Sequence, residues 1–363
     1  MFDVVIAGAG PAGSAAALHL RREGLSVALV DPAEFPRAKV CGEYLSAATV
    51  RELHAIGVGR ALAPQAHPIE KLRIRTGKAE AMLPFARNAW SLPRCVLDNA
   101  LRDAAVTAGA VPVRARVESV EHGAARCVVL ARNASGEGSL LSARVAIGAD
   151  GAHSAVARSC GLTLESGRRE RFALGGHYRY ASPHADAVQM FVGDGSYFAL
   201  NPLQADLVNV MLVVPKRELS RHRDDVESYM RERISALTDG AIAYDAGDFE
   251  GKRLSTGPLA HRVRRFTSPG VLLAGDAAHF VDPFTGQGVY LALHAARLAA
   301  RAATAHLRRG VSQAEAWRRY ERDLQREIHR RERYAKLASL VVKAPLLAPV
   351  ARAFTPLLNA VSA

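Results

Sequence analysis

Three glycines, Gly8, Gly10 and Gly13, stand in the pattern G-x-G-x-x-G between an apolar run, Phe2 to Ala7, and a stretch of helix-forming residues that opens at Pro11 and Ala12. Glycine at those places permits a tight turn, lets backbone approach a pyrophosphate and allows a helix to pack closely on a strand. The helix that follows presents unpaired N–H groups and the positive end of its dipole, both suited to a diphosphate. Asp31 closes the next apolar run, 23 residues beyond Gly8, where its carboxylate can accept hydrogen bonds from a ribose. The chemistry these residues point to is the seating of a dinucleotide. The loop by itself does not decide between NAD and FAD.

Other reactive groups are dispersed. Cys41, Cys95, Cys127 and Cys160 lie far apart, with no C-x-x-C pair and no histidine at metal-ligand spacing. We therefore expect no metal site, no disulfide framework and a reducing cytoplasm. His279, Tyr197, His177 and Tyr290 are the polar side chains to consider for proton handling, with His279 and Tyr197 as the catalytic candidates. Each can equally be a packed residue with one satisfied hydrogen bond. Cys41 is open to two readings, a redox-active thiol and a small buried hydrophobe.

The elements that must position these groups can be read from periodicity. FDVVIAG, AGPAG, SAAALHLRREG and LSVALVD read as strand, turn, helix and strand. Leu97 to Ala110 is helical in pattern, VAIGADG at Val145 to Gly151 and VLLAGDAA at Val271 to Ala278 read as buried strands, and a helix follows from Gly288 to Leu307. Glu70 to Phe85 alternates like a strand, and from about Glu165 to Gly257 strand-like runs follow one another with turn residues between, interrupted by helical periodicity from Asp224 to Ala236. The fold class expected is α/β: a Rossmann-like dinucleotide-binding domain (1–68, 94–165 and 258–310), an inserted antiparallel β-sheet substrate domain (69–93 and 166–257) and a C-terminal helical region (311–363). At 363 residues the chain is long for one compact core, and 49% apolar with 23% charged residues is ordinary globular usage.

A formal charge of +13 is the kind of excess that phosphate-binding proteins carry. Here it comes from scattered arginines, without a homeodomain, zinc-finger or RNP-type signature, so an anionic cofactor or substrate is expected and nucleic acid is not. The Arg-rich helical stretch beyond Ser312 reads as a solvated face. No basic n-region precedes the first strand, and no apolar run reaches the ~20 residues of a bilayer span, which leads us to expect a cytoplasmic protein. The apolar stretch Leu337 to Leu358, broken by Pro345, Pro349 and Pro356, allows two readings: a lid packed over the sheet, and an interfacial anchor giving peripheral contact with the inner face of the membrane.

GAGPAG at Gly8 to Gly13, GADGAHSAVAR at Gly148 to Arg158 and AGDAAHFVDPFTGQG at Ala274 to Gly288 together carry a resemblance. The chain resembles the FAD-dependent monooxygenases of the aromatic-hydroxylase type, with their relatives the geranylgeranyl reductases and flavin-dependent halogenases. The resemblance implies that the Rossmann-like domain is an FAD-binding domain, with Asp150 in the Asp-Gly motif. It implies that Asp276, next to Gly275, hydrogen-bonds the ribityl chain, and that Pro283, Gly286, Gln287 and Gly288 lie along the flavin ring. FPRAKVCGEYLS is similar to a segment bordering the cofactor, which nominates Arg37, Gly42 and Glu43, and SLPRCVLDNAL likewise nominates Arg94. A helix beginning near Gly288 would aim its positive end at the ring's N1 and C2 carbonyl, where charge gathers on reduction.

The activity implied is that of an FAD-dependent oxidoreductase, first a monooxygenase in which NADPH or NADH reduces the flavin and O2 is used, through a C4a-hydroperoxide, to oxygenate an apolar or aromatic small molecule. His279 and Gln287 look hydroxylase-like, whereas KVCGE and Phe284-Thr285 look closer to the reductases. The alternatives are reduction of an alkene in a lipid and action on a substrate held by a carrier or client protein. The W-x-W-x-I-P segment of the halogenases is missing, and SYFALNP stands at the corresponding place. No second G-x-G-x-x-G is visible to hold nicotinamide, so direct hydride donation and supply by a partner reductase both stay open.

Overall fold

Phe2–Ala7 is apolar without alternation because the strand it forms is covered on both faces, the condition of a parallel sheet flanked by helices. It pairs in parallel with Val27–Val30 on one side and Gly138–Gly148 on the other, in registers such as Val5 with Ala28 and with Ala146. Val111–Val113 and Val271–Leu273 extend this sheet at its two ends. The helix Pro11–Arg22 and the helix Gly288–Arg308 meet through alanines, Ala15, Ala16, Ala296, Ala299 and Ala303 all being fully buried, and small side chains let the two axes approach. The computed structural model describes residues 1–164, 171–259, 261–280 and 282–343.

A second eight-stranded sheet is built from three separate parts of the chain. The hairpin His67–Thr76 and Ala79–Ser91, edged by Tyr44–Leu45, contributes one end, and Arg171–Arg179, Ala187–Gly193, Ser196–Pro202, Leu207–Pro215 and Phe249–Thr256 contribute the other, joined by the parallel pairing of Ala187–Gly193 with His67–Thr76. Alternation with period two divides its faces. Val208, Val210, Leu212 and Val214 pack with Phe198, Leu200, Met230 and Ile234 beneath the helix Val226–Thr238. The intervening Met211 and Val213 pack on the opposite face with Tyr197, Met190 and Ile74, toward the first sheet.

Several sequence expectations move by a few residues, each for a local reason. The helix expected at Asp224 to Ala236 runs Val226–Thr238, because the Asp225 carboxylate accepts from Ser228 N (3.0 Å) and so caps its start. The strand expected to reach Ala278 stops at Leu273, since Gly275 takes a left-handed φ of 62° and opens a short 3-10 turn, Gly275–Ala277. Glu70 to Phe85 is two strands that reverse at Gly77. The Arg-rich helix Gln313–Lys343 is not solvated throughout: Trp317, Tyr320, Leu324, Ile328 and Arg331 are buried along one face. No helix among the described residues is long and apolar enough to cross a membrane. The segment from Ala344 on, where most of the tail's two readings apply, lies outside the described residues, as do residues 165–170.

Candidate functional site

A cavity of about 860 Å³ lies between the two sheets, within the size range of small-molecule and cofactor sites. Of the residues nominated from sequence, Gly13, His177, His279 and Tyr290 fall outside its wall. Gly8, Gly10, Pro11, Ala12, Asp31, Arg37, Gly42, Glu43, Arg94, Asp150, Tyr197, Gly275, Asp276, Pro283, Gly286, Gln287 and Gly288 all line it.

The glycine loop is held by its acidic partner. Asp31 accepts from Ala9 N (2.7 Å) through Oδ2 and from Ala33 N (2.9 Å) through Oδ1, so the carboxylate shapes the loop and keeps its remaining lone pairs for the cavity. Arg37 stands over the Phe35 ring at 5.0 Å, with its guanidinium 3.7 Å from Asp31 and 3.8 Å from Asp98. Lys39, which sequence reasoning passed over, lines the same stretch; it is reachable from the cavity yet crowded by protein, so desolvation and then the Arg94 charge depress its ammonium pKa while Asp276 opposes them. Arg94 is held by two 2.8 Å bonds, from Nε and Nη2, to the Asp98 carboxylate.

Three features fit a bound FAD. Cβ atoms added at Gly42 and Gly288 would meet nothing within 4 Å, so backbone there borders open space. Arg37 Nε, Asp150 Oδ1 and Thr285 Oγ1 are buried and have no hydrogen-bond partner among the described residues, although a buried polar atom ordinarily has one. The other Asp150 oxygen caps the helix Ala155–Ser159, accepting from Ala155 N (2.7 Å). The basic groups Arg37, Lys39, Arg116 and Arg158 line the wall and give it the positive charge that suits a diphosphate.

Glu43 does more than line the cavity. Its backbone is left-handed at φ 54°, and its carboxylate accepts from Arg94 N (2.7 Å), His177 Nε2 (2.7 Å) and Asn209 Nδ2 (3.1 Å), tying the first sheet's helix to two strands of the second. The hydrogen bond to Glu43 raises the His177 pKa above its ordinary value, burial opposing and Glu250 adding. Protonation of His177 therefore favours the fold: the stabilisation is complete below about pH 6.5, the unfolded value, and is lost as pH rises through the higher folded value. The loss of Tm caused by His177→Gln is expected to be larger at about pH 6 than at about pH 8.5. Equal losses at both would remove this linkage.

The catalytic candidates separate. His279 Nε2 sits 3.2 Å from Glu332 of the C-terminal helix, burial pushes its pKa down, and it does not face the cavity. Tyr290 shares a 3.3 Å hydrogen bond with His294 Nδ1 outside the wall. Tyr197 does line the cavity: its ring is edge-on to Phe284 at 5.4 Å, and its buried hydroxyl has no partner among the described residues. Burial raises its pKa well above the usual phenol range, so it is a neutral donor.

Sequence reasoning missed a pair of asparagines. Asn201 and Asn209 are register partners on adjacent strands and both line the cavity. Asn201 Nδ2 donates to Gly42 O (2.9 Å), while Asn209 Oδ1 is buried without a partner among the described residues. The available signal was one amide in each of two otherwise apolar strands, SYFALNP and LVNVMLVVP. Around these polar atoms the second sheet supplies an apolar wall of Leu72, Ile74, Leu83, Phe85, Met190 and Val213.

Comparison with known proteins adds three findings. A family model described as FAD binding domain matches residues 1–332. The menaquinone reductase of Mycobacterium tuberculosis is 38% identical over 164 residues, 44% of this chain and only 40% of that protein, and a ubiquinone hydroxylase of Rhodospirillum rubrum is 28% identical over 303 residues, 74% of this chain and 68% of its own length. Among solved structures, a flavoprotein/dehydrogenase from Cytophaga hutchinsonii superposes with a TM-score of 0.86 at 21% identity, covering 99% of this chain and 92% of that one, a likeness of fold alone.

Proposed function

Because the chain belongs to the FAD-binding-domain family and is an FAD-dependent oxidoreductase, we propose that it is a monooxygenase acting on an apolar molecule that carries a hydroxylated or carbonyl-bearing ring. The observation that carries this reading is the pair of partnerless buried atoms, Tyr197 Oη and Asn209 Oδ1, in an otherwise apolar wall. A buried donor and acceptor left unpaired are costly, and a substrate with two oxygen functions, one accepting and one donating, spaced for side chains four register positions apart, supplies both with partners.

Bound FAD, reduced by NADPH or NADH, would supply the means of splitting O2, so that one oxygen enters a substrate C–H bond, the other leaves as water, and one NAD(P)H is oxidised. Gly10, Arg37 and Asp150 would hold the adenosine diphosphate end, and Asp276 with Pro283 to Gly288 would hold the ribityl chain and ring. Residues 69–93 and 166–257 form the substrate side, and 1–68, 94–165 and 258–310 the cofactor side. Tyr197 donates to the substrate's oxygen and Asn209 Oδ1 accepts from its hydroxyl, while Leu72, Ile74, Met190 and Val213 exclude water.

A second reading, hydride transfer to a carbon–carbon double bond of a lipid, draws support from the apolar wall and from the likeness to a menaquinone reductase. It leaves the two polar atoms unanswered. The test is turnover of the holoprotein with NADPH or NADH, in air and without air, on a phenolic lipid and on an isoprenoid alkene. A product heavier by one oxygen, formed only in air, supports oxygenation; a product heavier by two hydrogens, formed without air, replaces it with reduction. Tyr197→Phe is expected to lower kcat/KM for the hydroxylated substrate by about 10-fold with FAD content unchanged, since the lost hydroxyl bonds nothing among the described residues.

A further inference from the structure

We infer that Arg331, on the C-terminal helix Gln313–Lys343, is a positioning residue that orients the amide of Gln287 so that its N–H groups, not its carbonyl, are available at the flavin side of the cavity. Arg331 is 2% exposed, a rare burial for a guanidinium, and it lies behind the loop that precedes the helix Gly288–Arg308. Its Nη1 donates to Gln287 Oε1 at 3.1 Å, its Nε donates to Glu327 Oε1 at 2.7 Å, and the group stacks over the Tyr290 ring at 4.1 Å.

The orientation follows from chemistry as well as from coordinates. A guanidinium has donors only, so whichever end of the Gln287 amide faces it must be the oxygen. The NH2 group is thereby turned the other way, where it meets Thr285 O at the long distance of 3.4 Å and keeps hydrogen to spare. Gln287 is itself 3% exposed and lines the cavity, immediately before Gly288, whose missing side chain leaves open space. An N–H donor backed by a buried cation and joined to a helix N-terminus is an arrangement that favours negative charge in whatever lies against it. In a flavin that charge appears on reduction, so the network raises the reduction potential of the bound cofactor whether the enzyme then oxygenates or reduces. A long-range element, the C-terminal helix, thus sets the electronics of a loop some forty positions earlier in the chain.

The inference rests on the ring lying against Gly286 to Gly288, and the experiment separates the two. Reduction potentials of the holoprotein are measured without air by equilibration with reference dyes, for wild type, Arg331→Met, Arg331→Lys, Gln287→Leu and the double variant Arg331→Met with Gln287→Leu. Arg331→Met and Gln287→Leu are each expected to shift the reduction equilibrium by about 10-fold toward the oxidised form, ~30 mV for a two-electron couple. The double variant is expected to fall no lower than Gln287→Leu, and Arg331→Lys to recover part of the loss. Glu332→Gln, which breaks the neighbouring pair with His279 on the same helix, is expected to lower Tm and leave the potential in place. An unchanged potential in Arg331→Met, or shifts that simply add in the double variant, would overturn the inference. Where neither Arg331 variant retains FAD, an unchanged potential in Gln287→Leu overturns it. Gly288→Val tests the ring's seat: if it binds FAD as tightly as wild type, the placement of the ring fails, whereas loss of FAD in Gly288→Val with an unshifted Arg331→Met removes the role of Arg331 alone.

Discussion

Replacing Gly13 with valine is expected to give a protein that purifies almost without FAD and binds added FAD roughly 100-fold more weakly, a difference of about 2.7 kcal/mol. Gly13 does not touch the cavity; its role is to let the first helix sit on the first strand. A Cβ at that position would lie 1.8 Å from Gly8 O and 3.3 Å from Ile6 Cγ2. The nearest obstacle is backbone, which cannot rotate away, so the helix Pro11–Arg22 must withdraw from the turn. Its free N–H groups would then no longer be placed to meet a diphosphate, so the hydrogen bonds and the helix-end field they would offer are lost together. The ratio of flavin absorbance to protein after purification, followed by titration of the apoprotein with FAD, measures the effect. A Gly13→Val protein carrying stoichiometric FAD would show that the helix is not seated as described.

Glu43→Leu is expected to destabilise the fold by about 3–5 kcal/mol, the range for removing one partner from a buried charged network. Three donors lose their acceptor at once: Arg94 N, His177 Nε2 and Asn209 Nδ2. Glu43 is 4% exposed and Asn209 is 4% exposed, so water does not readily replace the carboxylate. Glu43→Gln retains one acceptor oxygen and the shape, and is expected to cost less than half as much. The pair is read by denaturant unfolding at about pH 6, where His177 is most fully protonated in the folded state. A loss below about 1 kcal/mol for Glu43→Leu would mean that the tie between the two sheets is made elsewhere. Because the carboxylate joins the helix Arg94–Thr107 to the strands Arg171–Arg179 and Leu207–Pro215, its removal should also loosen the substrate wall relative to the cofactor loop.

The glycine loop and its acidic partner were legible from residue types and spacing. Gly8, Gly10, Gly13 and Asp31 act within a single strand, turn, helix and strand, so their spacing along the chain is already their spacing in space. Pro283 to Gly288 is likewise a short local stretch, a 3-10 turn running into a helix N-terminus. Local backbone geometry dictates such elements, and residue types with special φ or no side chain betray them. The two faces of the second sheet were half legible: alternation marks strands, but which alternate set faces a cavity depends on what the other face packs against.

Tertiary structure alone decided the rest, because the decisive contacts join residues far apart in the chain. Asn209 reads as one polar residue in a strand until pairing with Asn201 and donation to Glu43 place it at the cavity. His279 stands close in sequence to Asp276, which lines the cavity, yet its imidazole pairs with Glu332 and is not part of the cavity wall. Arg331 belongs to a helix whose charge pattern reads as solvated, and only the packing of that helix on Gly288–Arg308 buries its guanidinium against Gln287. A side chain's chemistry depends on the partners that burial supplies, and those partners are chosen by packing between distant elements, not by neighbours along the chain.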